Sequence, residues 1–333
     1  METQPTNTAP VPPKLIQSLI GGFNAVANHI WLILFPVALD LYLWLGPHLN
    51  LNVIFQPILS QFTLLQNSAQ GSQMEEMLQS AQQVYNLLSS RLNLMAALRT
   101  LPVGVPSLMA GSLPLETPYG IARIIQVSSF GETTLWWLAL ATLGIALGAI
   151  YFYLVSRVAL NDAAPQSLKR IFQVIGQVFI LTLAFIILGF VIAIPLLLIT
   201  SFLTIISIAL AQLFIILLSL AVIWVVVPLF FAPHGIFVNR QQAMPSMVTS
   251  ARLVRYILPG IGGFLIAALI LSQGLDSLWR VPPATSWLTL IGIFGHAFIS
   301  TGLVSASFIY YRDGLHFVQE LLQQQKTTVT TLS

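Results

Sequence analysis

Asp40 is the residue of this chain best placed to do chemistry. It lies in the run Pro36-Val37-Ala38-Leu39-Asp40-Leu41-Tyr42-Leu43-Trp44, where every other residue is apolar or aromatic. A carboxylate inside such a helix is costly, and residues of this kind mark coupling sites or hold structure together. Position 40 falls about two turns from the helix end, within reach of Arg99, Arg123 or a loop amide. A tether for the following segment and a proton- or substrate-coupling site are therefore both readings of it. Asn24, Asn28 and His29 precede the same helix, with Asn24 and Asn28 sharing a face that could meet a lipid headgroup. His296 and Ser300 are also four apart. They are parts of a hydrolytic nucleophile, but two residues on one helix face do not reach the geometry of attack, and Ser300 lacks a glycine-rich oxyanion context. Hydrogen bonding between helices is the reading that fits. Glu75-Glu76 has no nearby His and reads as a solvated face. Neither an HExxH pattern nor a phosphate-binding Walker loop occurs. There are no cysteines, which excludes disulfides, thiolate metal sites and Cys nucleophiles. The residues thus give no catalytic, metal or cofactor site, and a non-enzymatic protein is expected.

The elements that carry these residues are membrane helices. Residues 171 to 239 contain no Asp, Glu, Lys or Arg. A span needs about 20 apolar residues, so this stretch crosses a bilayer more than once. The chain is 56% hydrophobic and 7% charged, far below the roughly 25% charge of soluble domains. Its net charge of +3 is too small and scattered for nucleic-acid binding. The expected fold is an all-α polytopic bundle with six spans at 27–46, 134–158, 172–200, 205–231, 258–279 and 286–311, with kinks at Pro195 and Pro228. The positive-inside rule puts Lys14, Arg157, Lys169, Arg170, Arg240, Arg252, Arg255, Arg312 and Lys326 on the cytoplasmic side. Arg91, Arg99, Arg123 and Arg280 fall outside. Both termini are then cytoplasmic in a multi-pass plasma-membrane protein. Tyr42, Trp44, Trp136, Trp137, Trp279 and Trp287 form an outer aromatic belt, and Tyr151, Tyr153, Tyr256, Tyr310 and Tyr311 an inner one.

Five segments follow. Residues 1–17 read as a polar, Pro-rich tail and 18–46 as an interfacial helix leading into the first span. Residues 47–133 are an extracytoplasmic helical insertion, 134–312 the remaining five spans, and 313–333 a cytoplasmic helix and tail. Three span entrances look alike, beginning at Pro13, Pro165 and Pro245, and suggest a repeated unit of interfacial helix plus hairpin. In the third, Met244, Met247, Val248, Ala251 and Val254 make the apolar face, and Gln241, Ser246, Ser250, Arg252 and Arg255 lie mostly opposite. Within the insertion, Met74, Leu78, Ala81, Tyr85, Leu88, Leu92 and Met95 alternate spacings of four and three, a heptad seam. The seam packs on a neighbouring helix at 57–65 and the bilayer surface, or forms a docking face for a protein partner or a second copy. The apolar loop Leu101 to Met109 is expected at the membrane interface or over the bundle, a lid being its sharper form. Gly144 and Gly148, and the ridge Ala297, Thr301, Ser305, mark close helix contacts.

The stretch Pro228-Leu229-Phe230-Phe231-Ala232-Pro233-His234-Gly235-Ile236-Phe237, with Ala243 and Ser250-Ala251-Arg252-Leu253-Val254-Arg255, resembles a bacterial six-helix family. That family includes the membrane domain attached to some glycerophosphodiester phosphodiesterases, and stand-alone members. The resemblance spans about residues 160 to 312. It implies the fold and a bacterial inner-membrane location. It carries no activity, because the catalytic barrel and its metal ligands are absent. The functional expectation is a scaffold or membrane-organising protein whose partners are membrane lipids and a protein or second copy. The alternative is a transporter or lipid-handling permease using Asp40.

Overall fold

The computed structural model describes residues 10–51, 79–80, 82–83, 93–111, 114–165 and 167–332. Among them the protein is all-α. The helices are α1 (Leu15–Asn28), α2 (Leu34–Leu45), α3 (Phe130–Ala159), α4 (Leu168–Ile206), α5 (Ile208–Leu229), α6 (Ala232–Val238), α7 (Ala243–Trp279) and α8 (Thr289–Leu332). Strands β1 (His48–Asn50), β2 (Glu116–Thr117), β3 (Gly120–Ile121) and β4 (Ile124–Gln126) are very short. β1 and β4 pair in parallel with His48 opposite Ile124, and β2 and β3 form a tight hairpin with Gly120 at positive φ. Five helical segments are long and apolar enough to cross a membrane, and the α1–α2 pair makes a sixth if counted as one broken span. The protein is a multi-pass membrane protein.

The first expected span is not one helix. α1 stops at Asn28, a short 3₁₀ turn covers Ile30–Ile33, and α2 resumes at Leu34. His29 closes α1: its backbone leaves helical geometry and its Nδ1 lies 3.1 Å from the Ala25 carbonyl. The twelve residues of α2 span only about 18 Å, well short of a hydrocarbon core of about 30 Å.

The chain divides into two compact units. One holds residues 1–30, 152–271 and 301–333. Here α1 buries Ser18, Gly22 and Val26, a stripe at helical spacing, against α8. A Cβ on Gly22 would lie 2.4 Å from the Ala306 backbone nitrogen, so the two helices meet backbone to backbone. Phe231, Phe264, Tyr310 and Tyr311 fill the core. The tyrosines are therefore interior residues and not an interfacial belt, and the same holds for Tyr151. They stack with phenylalanines, with Phe264 and Tyr310 rings 4.7 Å apart.

α7 is broken at Ile257, two residues before Pro259, whose ring cannot continue the preceding turn. Its first half packs the serine side of the helix inward and leaves part of the apolar side outward. Ser246 and Ser250 are fully buried, while Met244 and Val248 are exposed. The reason is hydrogen bonding. Ser250 donates to the Pro228 carbonyl at 2.7 Å and Ser246 to the Ala232 carbonyl at 2.5 Å, where the α5–α6 break frees backbone acceptors.

α4 and α5 pair as a long hairpin broken at Ser207. Pro195 lies within α4, which continues past it. α4 buries Val174, Val178, Leu181 and Thr182, all in its first half, and α5 buries only Ala211. Both are otherwise apolar and exposed, as a lipid-facing surface requires.

The other unit holds residues 31–151 and 272–300. Its centre is the loop 101–109. Val103, Val105, Leu108 and Met109 are buried, so the loop is core and not a surface lid. Gly144 and Gly148 of α3 make this fit. Cβ atoms there would meet the Leu98 carbonyl oxygen at 2.4 Å and the Gly104 Cα at 2.7 Å. The GxxxG ridge thus accepts an extended backbone instead of a second helix. Trp44 is buried and donates to the Ala284 carbonyl at 2.8 Å, which removes it from any belt.

Gly22→Ala forces a Cβ against the Ala306 backbone and should destabilise the protein by about 1–3 kcal/mol. Gly176→Ala, where a Cβ meets nothing within 4 Å, should be neutral or slightly stabilising. Thermal unfolding of both variants in one detergent checks the pair.

Candidate functional site

A buried helix carboxylate needs several donors. Asp40 is fully buried on α2 and receives three. Oδ1 accepts from the Ser107 hydroxyl at 2.5 Å and from the Met109 amide at 3.0 Å, and Oδ2 accepts from the Leu108 amide at 3.0 Å. The Ser107 hydroxyl oxygen accepts in turn from the Ala110 amide at 3.0 Å. One carboxylate therefore organises four consecutive residues, 107–110, into the 3₁₀ turn at Met109–Gly111. The partners are loop amides and a hydroxyl, not Arg99 or Arg123.

The loop has a second anchor. Arg280, just past the end of α7, directs Nη2 toward the Leu108 carbonyl at 3.5 Å. Close by in sequence, Asp276 meets His296 of α8, Oδ1 to Nδ1 at 2.7 Å. His296 is buried, and its Nε2 has no hydrogen-bond partner among the described residues. Asp40 and His296 are near enough to interact electrostatically. The hydrogen bonding between helices expected at this place thus runs from His296 to Asp276, while Ser300 donates to the Ala297 carbonyl at 3.3 Å. Asp276 was not singled out from the sequence, because its pairing with His296 joins residues on two helices. The arrangement is a buried acid–base pair beside a carboxylate-held loop. It lacks a nucleophile in line with His296, and no group of three acidic or histidine side chains suited to a metal occurs among the described residues.

The other singled-out residues do not join this cluster. Asn24 and Asn28 share the exposed face of α1, and His29 is exposed. Of the heptad seam, Met74, Leu78, Tyr85, Leu88 and Leu92 lie outside the described residues. Met95 lies within them and is not a docking residue: it is buried in a 3₁₀ turn, where the Tyr42 hydroxyl points at its sulfur at 3.6 Å. Met95 does not lie in an α-helix: a 3₁₀ turn covers Leu94–Leu98, and just ahead of it Asn50 bridges to Asn93. Its side-chain oxygen also accepts from the Leu49 and Met95 amides.

His48 joins the loop frame from β1, donating its amide to the Arg123 carbonyl at 2.9 Å. Its ring is buried, and Nε2 has no partner. Burial lowers its pKa below the ordinary 6.5, and a hydrogen bond involving the Leu43 backbone opposes this only in part.

Asp40→Asn should weaken the charge-assisted bonds to residues 107–109 by about 1.5–3 kcal/mol. Hydrogen exchange at the Leu108 and Met109 amides should rise, and Ser107→Ala should raise it less. For His48 the folded state holds the neutral ring while the unfolded chain takes a proton. Its stabilising contribution is thus present above pH 6.5 and lost as pH falls below it. Melting temperature should fall below pH 6.5, and His48→Gln should flatten that dependence.

No family model matches the chain, and neither a curated protein nor a solved structure matches it. Its own residues make it an all-α, multi-pass membrane protein with a carboxylate-anchored loop.

Proposed function

We propose that this chain is a non-enzymatic membrane-organising protein of a bacterial plasma membrane, acting on lipids or protein partners, with both termini cytoplasmic. The observation that carries the reading is the full engagement of Asp40. A coupling carboxylate must exchange its partners during a cycle, whereas Asp40 spends both oxygens on one loop. Gln177, the polar residue of α4 suited to lining a path, accepts from the Ala243 amide at 2.9 Å and caps α7. A transporter needs more free polar lining near the midplane. The orientation is supported by Lys169, Arg170, Arg240 and Arg252, which flank the uncharged hairpin. Bacterial placement is supported by the family resemblance of residues 228–255.

A second reading, a proton-coupled permease, is favoured by one observation. The Asp276–His296 pair leaves a buried imidazole nitrogen without a partner, and such pairs occur in proton relays.

Native mass spectrometry of the protein released gently from its own membrane tests the first reading. A stoichiometric lipid or protein companion retained in Asp40→Asn is the expected result, and absence of any companion sinks it. For the second, the protein in vesicles carrying a pH-sensitive dye should acidify the lumen under a pH gradient. It should stop doing so in His296→Gln. No difference from empty vesicles ends that reading.

A further inference from the structure

Four cations line one cavity of about 490 Å³ where α3 ends and α4 begins. They are Arg157, Lys169, Arg170 and Arg240, and Asp162 is the one carboxylate in the lining. None of the four makes an ion pair with a carboxylate among the described residues. Such a charge excess is unfavourable, because like charges gathered around one hollow repel. Side chains that repel one another around a hollow are held there by the fold or by a bound anion.

The fold does hold them. Arg157 donates Nη2 to the carbonyls of Asp162 at 2.9 Å and Ala164 at 2.5 Å, and its guanidinium lies 5.8 Å from the Tyr153 ring centre. Its Nη1 is buried without a hydrogen-bond partner. Arg170 donates Nη2 to the Ile236 carbonyl at 3.1 Å. Arg240 sits at φ 56°, a left-handed conformation that bulky residues rarely take. Lys169 and Gln173, one helical turn apart, are exposed on the same side of α4. Two guanidinium groups held in place by backbone carbonyls, with Lys169 and Arg240 beside them on the same hollow, suit the oxygens of a phosphate.

We propose that this cavity binds one phosphate-bearing anion, and that in the membrane the anion is the headgroup of an anionic phospholipid. The lipid source is favoured by what adjoins the cavity. Leu168 and Phe172 on α4 are 75% and 71% exposed, so acyl chains find apolar helix surface beside the phosphate. Basic pockets at the ends of membrane helices take anionic headgroups by this combination of charge and apolar flank. The proposal deepens the membrane-organising reading and rests on it for the identity of the bound class.

The test uses the full chain in neutral detergent, titrated separately with phosphatidylglycerol, phosphatidylcholine and inorganic phosphate. Binding is read by native mass spectrometry and by thermal shift. Phosphatidylglycerol should bind at one copy and raise the melting temperature, and phosphatidylcholine should do neither. The double variant K169Q/R240N should weaken phosphatidylglycerol binding by about tenfold or more, the loss of one or two charge-assisted bonds. Asn suits the left-handed backbone at position 240, and unchanged gel-filtration behaviour confirms folding. R252Q/R255Q, which alters cations in a separate surface hollow, should bind like the wild type. Equal weakening in both double variants would show diffuse attraction and overturn the site. Saturable inorganic phosphate binding without a phosphatidylglycerol effect would overturn the lipid assignment. Binding of neither anion would overturn the proposal. Retention of other lipids in K169Q/R240N would leave the membrane-organising reading standing, so the two can fail separately.

Discussion

Hydrocarbon offers no hydrogen bonds, so every polar atom carried into it must be satisfied by the chain itself. Most irregular features of this protein answer that requirement. The helix break between α5 and α6 exposes carbonyls, and Ser246 and Ser250 turn inward to meet them. The first turn of α7 has a free amide at Ala243, and Gln177 reaches across from α4. Loop 107–110 carries several donors into the interior, and Asp40 takes them up. Ser201, Thr204 and Ser219 bond to the carbonyl four residues back in their own helices. Polar residues in the spans serve the backbone first. Several do not: among the described residues the buried hydroxyls of Thr182, Ser305, Tyr310 and Tyr311 are unmet, and His296 has one ring nitrogen on Asp276 and the other unmet.

The same accounting sets what could be read from the sequence. The number of apolar segments and the all-α class were legible because a charge-free run over 171–239 has only one physical meaning. The break at Ile257 was foreshadowed by Pro259, and a span was expected to open there. The two faces of 243–256 were legible, but not that the serines would pack against the protein. A hydrophobic-face argument assumes that serine prefers water, and here a buried carbonyl outbids water for it. The GxxxG pattern at Gly144 correctly marked close approach but not the partner, since a loop backbone fills a narrow groove as well as a helix does. Aromatic residues near span ends suggested belts, yet Trp44, Tyr310 and Tyr311 are interior. Position along a span cannot tell which way a ring faces.

At the candidate site, the sequence drew attention to Asp40 through the cost of its burial, and the geometry answers how that cost is met. His296 was noted for its spacing to Ser300, but Asp276 as its partner was not legible. Their significance arises only when two helices bring them to 2.7 Å. The basic cavity is a similar case. Lys169, Arg170 and Arg240 were read as topology signals, a statistical use of charge. Folded, they enclose a volume, and charge around a volume is a chemical statement.

The bridge between Asn50 and Asn93 fixes the two points where the chain leaves this frame and returns to it. Because those points are adjacent, an excursion between them starts and ends at one place in the frame, whatever its form. The entropy of such an excursion grows only with the logarithm of its length, so lengthening or exchanging it costs little. A change of length between residues 50 and 93 is therefore expected to leave both ends of the bridge where they are.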